Sequence, residues 1–164
     1  MELDIAIEEP WPAEGLDNLA LRAADSAARV APELANGRLL TSVLFTSDEA
    51  IHALNREWRQ RDKPTNVLSF PMLERTDLVH LDEDGPPEML GDIALAHQTC
   101  AREAAAKGIA LGHHAAHLIV HGLLHLAGHD HEISDADANV MEGLETKALA
   151  LMGIADPYSA ADAG

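Results

Sequence analysis

Residues 121–131 read HGLLHLAGHDH, and the positions of their histidines and glycines decide how the chain must run there. On a helix, His121 and His125 lie four residues apart and project from one face, close enough for two imidazoles to hold one metal ion. Gly128 lets the chain leave that helix through a left-handed conformation, so that a later histidine swings back toward the first two. His129 and His131 both follow the glycine, and spacing alone leaves the third ligand open between them. Three imidazoles leave the fourth tetrahedral position of a zinc ion to water, which is the layout of a catalytic site. A closed structural site needs thiolates, and the chain has one cysteine.

The spacing H-x-x-x-H-x-x-G-x-x-H is shared with the metzincin proteases, which carry a glutamate directly after the first histidine as general base. Here that position is Gly122. A phosphodiester hydrolase depends less on such a glutamate, because its main demands are charge stabilisation on the phosphorus and an activated nucleophile. His52, His80, His97, His113 and His114 read as ordinary helix or surface residues. His117 shares the face of His121 and reads as its neighbour.

Outward from this segment, the pattern predicts a helix over 111–127 ended by Gly128, preceded by an alanine-rich helix over 97–107 ended by Gly108. Leu3, Ile5 and Ile7 alternate with polar or small residues, the period of a half-covered strand. Apolar residues recur at helical spacing over 16–34, and further strands are predicted at 39–46, 67–70 and 89–96. Ser47 caps a helix with Asp48 and Glu49 in its first turn, burying Ile51, Leu54 and Trp58. Residues 73–88 are polar, aperiodic and rich in Gly and Pro, and are expected to form a flexible surface loop. A last helix begins at Ser134, with Met141, Leu144, Ala148 and Leu151 as its apolar stripe. No repeat or linker divides the chain, so residues 1–164 read as one α+β domain.

The 164 residues are 47% hydrophobic and 24% charged, close to globular averages. No apolar run approaches the roughly 18 residues of a membrane span. The start, Met1-Glu2-Leu3-Asp4, is acidic and unlike a secretory signal, and lone Cys100 has no internal disulfide partner. A cytoplasmic protein with no membrane partner is expected. Eleven Lys and Arg against 28 Asp and Glu give a net charge of −17, the reverse of a generic nucleic-acid binder. Positive charge is instead concentrated at Arg56, Arg59, Arg61 and Lys63.

Taken in order, Leu54-Asn55 with Arg59, the run PTNVLSFP over 64–71, Leu90-Gly91-Asp92-Ile93, His117-Leu118, Val120-His121-Gly122 through His131, and Met141 with Glu145 resemble the YbeY family of bacterial endoribonucleases. The resemblance covers most of residues 40–150. It implies a small mixed β-sheet flanked by helices, with a zincin-like, metal-bearing central helix. It implies His121, His125 and His131 as ligands of one Zn2+ per chain, favouring His131 over His129, and Arg59 as the catalytic arginine. Arg56, Arg61 and Lys63 are then RNA-contact candidates. The implied substrate is single-stranded ribosomal RNA, in 16S maturation and ribosome quality control, with the small ribosomal subunit or its proteins as partner. Two other readings use the same residues: a metallopeptidase, which Gly122 argues against, and a non-catalytic metal-dependent ribosome-assembly factor.

Overall fold

The computed structural model describes residues 1–63, 65–129 and 134–158. Strand β1 (Glu2–Ile7) leads through helix α1 (Leu16–Val30) to β2 (Leu39–Thr46), and α2 (Asp48–Arg59) leads to β3 (Val67–Pro71). The short helix α3 (Arg75–Val79) precedes β4 (Glu88–Ala96), and α4 (His97–Lys107), α5 (Leu111–Leu126) and α6 (Asp135–Leu151) complete the order. The sheet runs β1-β2-β4-β3. β1, β2 and β4 are mutually parallel, and β3 pairs antiparallel with β4. This is the mixed sheet expected for an α+β chain.

Parallel neighbours need long crossovers, so helices pack against the sheet and the inner strands β2 and β4 are predominantly apolar. On β4, Ile93 and Leu95 belong to the main core, whereas Ala94 and Ala96 belong to a smaller cluster with Ile51 of α2 and Leu68 of β3. Helix α5 is the centre of the main core. Ala115, Ala116, Ile119, Val120, Leu123 and Leu124 on it are fully buried. Its polar histidines are thereby confined to what remains of its circumference. Among the described residues no helix is long and apolar enough to cross a membrane.

Three local expectations are corrected. The first helix stops at Val30 because Pro32 opens a separate 3-10 turn, Pro32–Ala35. Residues 73–88 are not a uniform flexible loop: α3 forms within them and drives Leu78 into the core at 2% exposure. Trp58 is 66% exposed instead of buried. It lies on the stripe of Ile51 and Leu54 but one turn further on, past the small cluster that those two residues fill.

β4 carries one extra residue, Leu90, between the pairings Leu40–Met89 and Thr41–Gly91, a bulge that shifts the register. At Gly91 a Cβ atom would sit 2.5 Å from the Phe70 carbonyl oxygen and 2.7 Å from the Leu126 side chain. Gly91 is therefore a point of close approach between β3, β4 and the end of α5. Gly91→Ala is expected to lower stability by about 3 kcal/mol, as overpacking against backbone does. Gly143→Ala, in α6 with nothing within 4 Å, should instead raise it by about 1 kcal/mol. Urea denaturation of both variants checks the pair.

Candidate metal and RNA site

Asn55, Arg59, Arg61, Lys63, Thr65, Asn66, Ser69, His121 and His125 line one cleft of about 470 Å³ between α2, β3 and α5. The structure thus brings together two of the expected ligands, the expected catalytic arginine and two of the RNA-contact candidates. Arg56 is exposed on α2 outside the lining. Arg59 is the last residue of that helix. His131, the third expected ligand, lies outside the described residues, among which no group of three metal-ligating side chains occurs.

The cations reach the cleft because the chain after α2 is tied back to the helix. Gln60 adopts a left-handed conformation, and its N–H and that of Arg61 both bond to the Asn55 carbonyl. Buried Asn55 then donates through Nδ2 to the Lys63 carbonyl at 2.8 Å. At the loop's outer side, His52 Nε2 lies 2.6 Å from Asp62 Oδ1. That hydrogen bond, with the nearby charge, holds the Asp62 carboxyl below its usual range. Opposite, Asn66 Nδ2 donates to Glu103 Oε1, which also meets buried His114. An amide here supplies a donor that a carboxylate lacks.

Both cleft histidines are oriented from behind. Glu145 Oε1 accepts from His121 Nδ1 at 2.9 Å and from His117 Nε2 at 3.1 Å. Its Oε2 accepts from the Tyr158 hydroxyl at 2.7 Å. Ser69 Oγ lies 2.5 Å from His125 Nδ1. An Nδ1–H aimed at an oxygen sets the tautomer whose lone pair is on Nε2, as a metal-ligating imidazole requires. The donor set therefore fits a metal ion of the zinc class.

Glu145 is 1% exposed. Burial alone would raise its pKa, but the hydrogen bonds from His117 and His121, the charge of His121 and the Tyr158 hydroxyl hold it down to about 2. Burial pushes the Tyr158 hydroxyl up, and the same carboxylate adds to that effect. His117, expected as a neighbour, thus shares one carboxylate oxygen with His121. Tyr158 and the shared role of Glu145 were not foreseen; the available signal was a single acid on the apolar stripe four residues after Met141 and four before Leu149.

His129, the rival third ligand, lies beyond the helix end with Nε2 3.5 Å from Glu33. That end is capped by Arg75 of α3, whose Nη1 donates to the Ala127 carbonyl at 2.6 Å and stands 3.4 Å from Glu33. Gly128 has φ +97° and its Cα lies against the Arg75 side chain, where a Cβ would approach within 2.7 Å. The left-handed exit from the helix is as expected. Gly122 faces the sheet: a Cβ there would meet Ile93 Cδ1 at 3.0 Å. No side chain at 122 points into the cleft.

Residues 12–153 match the family model described as Endoribonuclease YbeY. A protein of Erythrobacter litoralis named Endoribonuclease YbeY is 65% identical over 158 residues, covering 96% of this chain and 98% of that one. Another so named, from Novosphingobium aromaticivorans, is 57% identical over 98% of this chain and 97% of its own. The solution structure of TM1509 from Thermotoga maritima shares the fold, with a TM-score of 0.58 at 22% identity over 92% of this chain and 91% of that one.

Glu145→Ala strands three donors in the core and should cost about 3 kcal/mol of stability. Tyr158→Phe removes one hydrogen bond and should cost about 1 kcal/mol. Chemical denaturation of the two variants measures both losses, and equal losses would contradict a carboxylate-centred network.

Proposed function

The chain belongs to the YbeY endoribonuclease family, and from that membership we propose a cytoplasmic, zinc-dependent endoribonuclease that cuts single-stranded ribosomal RNA in small-subunit maturation and ribosome quality control. The observation that carries this reading is the cleft in which Arg59, Arg61 and Lys63 stand across from His121 and His125. His121, His125 and His131 would hold the zinc ion, which when bound acts as a Lewis acid and lowers the pKa of water. The chain's own groups do the rest. Arg59 offers paired guanidinium donors that match two non-bridging phosphate oxygens and stabilise charge as it grows there. Lys63 and Arg61 hold the flanking phosphates and set the strand's register without reading its sequence. Glu145 and Ser69 keep the two imidazoles in one orientation.

A peptidase reading lacks its base, since position 122 faces Ile93. Arg59 is exposed on a helix end, so Arg59→Ala should keep the parent melting temperature and metal content while losing most RNA cleavage. Arg59→Lys should recover only part, because a point charge does not reproduce the paired donors. His125→Ala should lose the roughly one zinc per chain expected of a three-imidazole site, while His52→Ala retains it. Metal analysis alongside cleavage of single-stranded RNA and of an unstructured peptide tests the set. Cleavage of the peptide alone, or undiminished zinc in His125→Ala, would overturn the reading.

With a net charge of −17, the long-range field repels a polyanion, and the basic loop offsets this only within a Debye length of roughly 8 Å. Free RNA should bind weakly, with a log–log salt slope of about 3 or less in magnitude. A small ribosomal subunit with basic proteins supplies the missing positive charge. Cleavage of one RNA site, presented free and within the subunit at matched ionic strength, should be faster in the subunit. Equal rates would remove the argument for that partner.

A further inference from the structure

Tryptophan is the residue whose exposure costs most in unburied apolar surface, and this chain has two. Trp11 is 4% exposed and packs edge-on against Phe45. Trp58 is 66% exposed. It stands in the last turn of α2, between Asn55 and Arg59, and both of those line the cleft. The stripe that buries Ile51 and Asn55 thus runs out past the covered core and ends in an indole one turn beyond Asn55 and next to Arg59 in the chain. Flanking it in the chain are the exposed cations Arg56, Arg59, Arg61 and Lys63, of which Arg59, Arg61 and Lys63 line the cleft. The loop's own acid, Asp62, is turned to His52, and the last turn of the helix carries one acid, Glu57.

From this juxtaposition we infer that Trp58 is a nucleobase-stacking subsite at the rim of the cleft, taking one unpaired base of an RNA strand whose phosphates lie along Arg59, Arg61 and Lys63. The inference rests on the endoribonuclease reading and adds to it a contact with a base. Charge decides the occupant: an apolar protein surface seated on this indole would desolvate the surrounding cations, whereas a nucleic-acid strand brings a phosphate for each and a flat apolar ring for the indole. The ring face accepts any base, so the subsite confers no sequence preference. It does confer strandedness, because a base within a duplex presents its faces to its own neighbours. A single aromatic position also accords with a chain that is only 3% aromatic.

The test is a fluorescence and affinity titration of the full chain with a single-stranded 2′-O-methyl oligoadenylate, the same oligomer in a duplex, and inorganic polyphosphate. The oligoadenylate should quench parent emission, and Trp58→Phe, which retains Trp11, should lose that quenching. Trp58→Ala should bind the single strand about tenfold more weakly, in the range of one base–aromatic stack, and Trp58→Phe within about threefold of the parent. Polyphosphate, which has no bases, should bind parent and Trp58→Ala alike. Unchanged affinity of Trp58→Ala for the single strand would overturn the subsite while leaving the endoribonuclease reading intact. So would equal weakening toward polyphosphate, or a change in sedimentation with no change in RNA affinity, which would assign the indole to a protein contact. Failure of the parent to bind any RNA would overturn that reading, and the subsite with it.

Discussion

A carboxylate that is 1% exposed must have its charge met where it stands, and the way Glu145 is met organises this molecule. Its two oxygens receive His117 and His121 from α5 and the hydroxyl of Tyr158 beyond α6. The contact joins the two C-terminal helices through a polar link inside an otherwise apolar packing. Such a link depends most on the group at its centre, since loss of the carboxylate leaves every donor unpaired whereas loss of one donor leaves the others met. It also sets the ring of His121 toward the cleft, so the group that locks the core is the one that orients the site.

The second determinant is the depth of α5. With most of its circumference against β4, β3, α1 and α6, only a narrow polar strip is left, and His121 and His125 occupy it. Gly122, beside that strip, turns toward the sheet and allows the helix to approach Ile93. A glutamate at that position would meet the sheet, which separates this site from a peptidase for reasons of packing as well as of chemistry. The acidic exterior and the four clustered cations then divide the surface into one short-range attractive edge and a repulsive remainder.

Much of this was legible in the sequence where the signal was periodic or local. The i, i+4 histidines, the Gly128 exit, the Ser47 and Ser134 caps and the alternation of β1 are each set by neighbours in the chain. What was not legible depended on distant partners. α3 is held by Leu78 in the core and by Arg75 on α5, and neither contact is visible in a stretch crowded with Asp, Gly and Pro. Trp58 continues an apolar stripe, and only the extent of the small cluster beneath Ile51 shows that the stripe has outrun its cover. Glu145 and Asn55 do share a readable mark: each is a polar residue on a buried helical face, and each proves to position a part of the cleft.

The cap on α5 has a consequence for how the end of that helix is held. Glu33, Arg75 and Ala127 come from three segments far apart in the chain, yet one guanidinium joins them, with His129 against the same carboxylate. The end of α5 at Ala127 is therefore tied through Arg75 to α3 and to the 3-10 turn after α1. A substitution at Glu33, remote from the cleft, thus removes a partner of the guanidinium that caps the histidine-bearing helix.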